Sequence, residues 1–107
     1  MSEISVVLPT MNEEKSIAKV VNDIKKYAPA GTEILIVDSS KDRTAAIARE
    51  LGVRVITQEP HGHGRALIEG MLNAAGEIII SSDCDDSYPM EMIPELIKLM
   101  DQGYDIV

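Results

Sequence analysis

The feature that most limits what this chain can become is its alternation: short runs rich in Val, Ile and Leu recur along it, and stretches with helical spacing of apolar residues fill the gaps. The runs are Ile4–Leu8, Glu33–Val37, Val53–Thr57, Glu77–Ile80 and Tyr104–Val107, each of strand length and favouring β-branched residues. They are mostly apolar throughout rather than alternating with polar residues, which suits strands covered on both faces. Between them, Ile17, Val20, Val21, Ile24 and Ala28 fall at helical spacing and stop at Pro29–Gly31. Ala45–Leu51, preceded by Asp42 and Thr44 and closed by Gly52, gives a second helix. Leu67, Ile68, Met71, Leu72 and Ala75, closed by Gly76, give a third, and Met92, Leu96, Ile97, Leu99 and Met100 a fourth that ends near Gly103. The expected class is α/β, with alternating βαβ units, right-handed crossovers and a mostly parallel sheet carrying helices on both faces. No repeat, linker or low-complexity tract divides the 107 residues, so residues 1–107 read as one domain.

Such a sheet binds ligands outside the carboxyl ends of its strands, near the point where strand order switches. On that edge the sequence places Pro9–Glu13, Asp38–Asp42, Gln58–Gly64 and Ser82–Pro89, which together contain every unusual residue cluster in the chain.

Composition narrows the partners. A formal net charge of -8 leaves no basic surface for a nucleic-acid backbone. Cys84 is the single cysteine, so no disulfide forms within the chain, and two histidines with one thiol at scattered positions make no zinc site. A reducing, cytoplasmic setting fits. The apolar runs fall well short of the roughly 20 residues of a spanning helix, and Met1-Ser2-Glu3 opens no signal peptide.

Each rim cluster has a chemical reading and a plainer one. Asp83-Cys84-Asp85-Asp86 gathers three carboxylates after a strand; a hard divalent cation, Mg²⁺ or Mn²⁺, would relieve their repulsion. Aspartates there also simply cap the next helix. Asp38-Ser39-Ser40 offers an acceptor for a ribose or base, or else a side-chain-stabilised turn. In Pro9-Thr10-Met11-Asn12-Glu13, Pro9 ends the first strand and the extended backbone could line a flat ring; Thr10 and Glu13 alternatively form a capping box. His61-Gly62-His63-Gly64-Arg65 lets backbone approach a ligand, with Arg65 near a helix start able to meet phosphate oxygens; the plain reading is a surface loop. Its Gly-x-Gly follows the third strand rather than the first, so it is not a dinucleotide fingerprint.

In this order, VVLPTMNEE, ILIVDSSKDRT, HGHGRALIEGMLNAAGEIII and SDCDDSYPME resemble the large inverting glycosyltransferase family of the GT-A fold, especially its polyprenyl-phosphate sugar transferases. The match covers nearly all of the chain and implies the nucleotide-binding, Rossmann-like half of such an enzyme. By that resemblance Pro9, Thr10 and Glu13 hold the base region and Asp38 binds base or ribose. His63 and Arg65 fall at the diphosphate, and Asp83, Cys84 and Asp85 form the D-x-D element. Asp85 would ligate Mg²⁺ or Mn²⁺, while Asp83 contacts the ribose or the metal and its water. Met11 stands where relatives often have a tyrosine against the base, and His63 where they often have lysine, which makes charge there pH-dependent.

The ligand implied is a UDP- or GDP-linked sugar, transferred with inversion by a single displacement to an acceptor, a polyprenyl phosphate among the candidates. A hydroxyl acceptor needs a general base, which relatives supply from beyond the point where this chain ends. The resemblance further implies that the acceptor half is missing, with membrane association confined to the longer protein and an open sheet edge at Tyr104–Val107 available for self-association. Two other classes compete: a non-catalytic nucleotide-sugar-binding module, and a nucleotidyltransferase, which usually carries a glycine- and arginine-rich loop where this chain has Pro9–Glu13.

Overall fold

A computed structural model of the chain describes residues 4–60, 62–76, 78–81 and 94–95. Seven elements alternate along it: β1 (Ile4–Thr10), α1 (Ile17–Tyr27), β2 (Glu33–Asp38), α2 (Thr44–Glu50), β3 (Arg54–Thr57), α3 (His63–Asn73) and β4 (Ile78–Ser81). The four strands form one sheet in the order β3-β2-β1-β4, and every pairing is parallel. Strand order therefore switches at β1, which carries β2 on one side and β4 on the other. The expected α/β class, parallel sheet and two-sided helical cover are all present. The expected fourth helix and closing strand lie outside the described residues, apart from Pro94 and Glu95, which are helical. With that strand goes the open edge on which self-association was expected. No helix among the described residues is long and apolar enough to cross a membrane.

The period of two along each strand decides which helix it meets. Ile4, Val6 and Leu8 of β1 and Ile34 and Ile36 of β2 face α1 and α2, packing against Ile17, Val20, Val21, Ile24 and Ala48. Val7, Leu35 and Val37 face the other way, toward Ala66 of α3. Each of the α1 side chains Ile17, Val20, Val21 and Ile24 is 0–1% exposed, a burial that contributes roughly 1.5–3 kcal/mol apiece. Lys25 of α1 ties the two helices on that face together, donating to the Leu51 carbonyl at 2.6 Å beyond the end of α2.

Pro9 does not end β1, which continues through Pro9↔Val37 to Thr10↔Asp38. The described pairing of β1 with β4 reaches only Val7↔Ser81, so proline's missing N–H removes no bond from that ladder.

The third helix departs from expectation at both its start and its face. It begins at His63, immediately after Gly62, whose φ of 97° turns the chain in a conformation costly for other residues. His63, Gly64 and Arg65, for which a surface loop was the plainer expectation, thus form the first turn of a helix. Ile68, Met71 and Leu72, expected to pack inward, are 57%, 49% and 78% exposed. Of the expected residues Leu67 does pack against the core, but the stripe nearest the sheet is small: Ala66, Gly70 and Ala74 recur every fourth position. A Cβ on Gly70 would lie 2.3 Å from Cγ1 of Val7, so α3 sits too close to the sheet for any larger side chain there. Close approach of the small stripe leaves the larger residues facing out.

Candidate functional site at the carboxyl rim

β1 and β2 end side by side, and their last paired residues are Thr10 and Asp38. Both are nearly buried, at 4% and 3% exposure. Thr10 donates its hydroxyl to Oδ1 of Asp38 at 2.6 Å. Ser40, two residues on, closes over the same carboxylate, its hydroxyl donating to Oδ1 at 2.5 Å and its amide N–H to Oδ2 at 3.1 Å. Among the described residues no cation pairs with Asp38. The backbone contributes to this corner as well: Ser39 N–H donates to the Thr10 carbonyl at 3.0 Å and Gln58 N–H to the Asp38 carbonyl at 2.9 Å.

The loops after β1 and β2 are then latched to each other. Asn12 N–H donates to Ser40 Oγ at 2.7 Å, and Asn12 Oδ1 accepts from Lys41 N–H at 3.0 Å. Glu13 N–H donates to Thr44 Oγ1 at 2.9 Å and Glu14 N–H to Asp42 Oδ2 at 3.3 Å. Asn12 adopts a left-handed φ of 56°, which asparagine tolerates better than most side chains. Asp42 also accepts from both the hydroxyl and the amide of Thr44 at the start of α2. The Thr44 hydroxyl above all, despite some desolvation, holds the Asp42 carboxyl below its usual range.

These contacts remove the capping-box reading of Thr10 and Glu13. Helix α1 starts at Ile17, too far along for Thr10 to cap it, and the Thr10 hydroxyl is engaged by Asp38. Glu13 acts one turn later: its carbonyl accepts from Ser16 and Ile17 N–H at 3.1 and 2.9 Å, and its carboxylate from the Ser16 hydroxyl at 3.3 Å.

Thr10 and Asp38 are thereby brought together; Pro9 precedes Thr10 in β1, and Glu13 is bonded to Thr44 and Ser16 rather than to Asp38. Met11 is 53% exposed at the same rim. His63 opens α3 and Arg65 lies exposed in its first turn, following the loop that leaves β3. Parallel pairing puts the end of β4, at Ser81, on this same edge of the sheet. Asp83, Cys84 and Asp85 follow in sequence and lie outside the described residues. Among the described residues no three His, Cys, Asp or Glu side chains gather around a common point.

Sequence reasoning named the Asp38-Ser39-Ser40 turn but gave Ser40 no role of its own, and it missed Asn12 and Thr44 as latches. A usable signal was present: short hydroxyl and amide side chains crowd both segments that follow adjacent parallel strands. Gln58, named only as the start of the rim segment Gln58–Gly64, was given no role; among the described residues its Nε2 is buried without a hydrogen-bond partner. Shallow hollows among the described residues lie at the opposite edge, around Lys25, Thr32, Glu33 and Arg54.

Comparison with known proteins agrees with this geometry. The chain is 43% identical over 105 residues to a dolichyl-phosphate hexose transferase of Haloferax volcanii, an alignment covering 98% of this chain and 46% of that protein. It is 31% identical to an undecaprenyl-phosphate 4-deoxy-4-formamido-L-arabinose transferase of Pectobacterium atrosepticum, covering 100% of this chain and 36% of the other. The chain therefore spans less than half the length of these relatives. Among solved structures it resembles glucosyl-3-phosphoglycerate synthase from Mycobacterium tuberculosis, crystallised with Mn²⁺, UDP-glucose and phosphoglyceric acid. That superposition has a TM-score of 0.83 at 29% identity and covers 95% of this chain and 40% of the synthase. Staphylococcus aureus TarS gives 0.81 at 27% identity, over 95% of this chain and 33% of the other. Residues 5–107 match glycosyl transferase family 2. With a four-stranded parallel sheet, a buried acidic corner at its switch point and a family match over almost its whole length, the chain belongs to glycosyl transferase family 2.

Proposed function

We propose that residues 1–107 form a single nucleotide-sugar-binding domain, the sugar-donor part of a longer glycosyltransferase. It takes a UDP- or GDP-linked sugar at the carboxyl rim. The longer protein passes that sugar with inversion to an acceptor, a polyprenyl phosphate being the candidate suggested by the relatives' names. The observation that carries this reading is the Thr10–Asp38–Ser40 corner: a nearly buried carboxylate, with neutral hydrogen-bonding partners, at the switch point of a parallel sheet. Family membership favours sugar transfer over the nucleotidyltransferase alternative.

In this reading Pro9, Thr10 and Glu13 shape the base site and Asp38 accepts hydrogen bonds from the base or ribose. His63 and Arg65 approach the diphosphate from the start of α3, where backbone N–H groups favour anions. Asp83, Cys84 and Asp85 complete the nucleotide-sugar site, and Asp83 and Asp85 offer hard carboxylate oxygens of the kind that hold Mg²⁺ or Mn²⁺. The Mn²⁺ bound by the M. tuberculosis synthase supports the same choice of ion. When bound, such an ion neutralises charge on the departing nucleoside diphosphate. The chain's own residues bind and orient: they fix the base and hold the diphosphate so that the acceptor meets the anomeric carbon from the side opposite the leaving group. An ionised phosphate acceptor requires no general base. In the longer protein this chemistry would take place at the cytoplasmic face of a membrane.

Titration calorimetry of the chain with UDP and GDP, with and without Mn²⁺, tests the reading. Metal-dependent binding is expected, abolished when Asp83 and Asp85 are both changed to Asn. Absence of heat with either nucleotide, in protein shown to be folded, overturns it.

A further inference from the structure

Asp38 has two carboxylate oxygens and about four lone-pair positions, and most of them are taken before any ligand arrives. Oδ1 accepts two hydroxyl hydrogens, from Thr10 at 2.6 Å and Ser40 at 2.5 Å. Oδ2 accepts the Ser40 N–H at 3.1 Å. Among the described residues these are its donors, and one acceptor position is left, on Oδ2. The side chain is only 3% exposed, so its conformation is held by these partners.

The candidate bases differ in what they bring to a carboxylate. Uracil offers a single ring N–H, flanked by two carbonyls. Guanine offers a ring N–H and an amino group side by side, a pair that satisfies itself by bonding both oxygens of one carboxylate. With Oδ1 already doubly occupied, guanine leaves one of its paired donors without a partner inside the site. That loss of a hydrogen bond to a charged acceptor is much larger than any gain from the remaining contact.

Resting on the nucleotide-sugar reading above, we infer that Thr10 and Ser40 set the base preference of this domain by occupying Oδ1 of Asp38, so that the rim takes uridine diphosphate in preference to guanosine diphosphate. Ser40 is thus a specificity-determining residue that acts through Asp38. Its hydroxyl also accepts from Asn12 N–H at 2.7 Å, which fixes it over the carboxylate and couples base selection to the loop after β1.

The test is the ratio of dissociation constants for UDP and GDP, measured on the full chain with Mn²⁺ present. UDP is expected to bind more tightly by on the order of tenfold. Ser40→Ala and the near-isosteric Thr10→Val each free a position on Oδ1, and each is expected to move the ratio toward one. Reading a ratio rather than an affinity separates selectivity from a general loosening of the rim. Two variants, one at the end of β1 and one in the loop after β2, guard against one failing to fold. Equal binding of UDP and GDP by the wild type, or an unchanged ratio in both hydroxyl-deleting variants, overturns the inference while leaving the nucleotide-sugar reading intact. Binding of neither nucleotide overturns both.

Discussion

The two rims of the sheet are both stitched by a carboxylate, and the difference between the two sets a structural staple against the corner proposed for recognition. At the amino rim, Glu33 Oε1 accepts from the Ser5 hydroxyl at 2.8 Å and the Ala75 N–H at 2.9 Å, while Oε2 accepts from Arg54 at 3.3 Å. Arg54 also donates to the Asn73 carbonyl at 2.6 Å, and Ser5 Oγ accepts from Gly76 N–H at 2.8 Å. One carboxylate therefore joins β1, β2, β3 and the connection from α3 to β4. At the carboxyl rim Asp38 also has three donors, but all are neutral. Glu33 has its countercharge within the fold; among the described residues Asp38 has none. A nearly buried carboxylate without a cation is costly to the protein and receptive to a ligand's N–H groups.

The largest expected effect tests the amino rim as structure. A Cβ on Gly76 would fall 2.6 Å from Ser5 N and 2.7 Å from Ile4 C, and backbone cannot yield as a side chain does. Gly76→Ala is expected to destabilise the chain by about 3 kcal/mol in urea unfolding. The UDP/GDP ratio of whatever protein remains folded should be unaltered; a changed ratio would mean that the rims are not independent. Next is Asp38→Asn, which replaces one carboxylate oxygen with an NH₂ that cannot accept from Ser40 N–H. UDP affinity should fall by roughly a hundredfold, about 2.7 kcal/mol, with a smaller change in melting temperature. A large loss of stability with affinity retained would reverse the assignment of roles.

The smallest effect sharpens the comparison by pH. Burial pushes the Glu33 carboxyl up, but the Ala75 N–H, the Ser5 hydroxyl and Arg54 together outweigh it and leave it below its ordinary value of 4.5. A carboxyl lowered in the folded state stabilises fully above the ordinary value, and that contribution is lost as pH falls through the lowered one. Glu33→Gln should therefore cost about 1 kcal/mol at neutral pH, discounted for an Arg54 side chain that is 46% exposed, and should flatten the acid limb of the stability curve. The flattening is partial, because Asp42 is also lowered and remains. An acid limb identical to the wild type would show that the amino-rim staple contributes nothing.

The β-branched runs and their helical spacers carried the fold in plain view, since covered parallel strands are apolar throughout and helices repeat on a different period. What the sequence concealed was orientation and closeness. Ile68, Met71 and Leu72 looked like a buried stripe because hydrophobicity alone ranks them above Ala66, Gly70 and Ala74; the small residues win because they let α3 approach Val7. Pro9 looked like a strand end, because proline's missing N–H matters only where a neighbour needs it. At the site, Asp38 and Thr10 were legible separately, but their partnership depends on register, Thr10 opposite Asp38, which no local pattern encodes. The hydroxyl of Ser40 could be assigned a partner only once that register was known.

Each latch between the segments after β1 and β2 pairs a backbone N–H with a side-chain acceptor, and none of them belongs to a strand ladder. What the rim reads can therefore drift, one hydroxyl or amide at a time, while the sheet beneath stays the same. On the proposed function, a change of nucleotide preference would then need only point substitution at this rim, with the architecture kept.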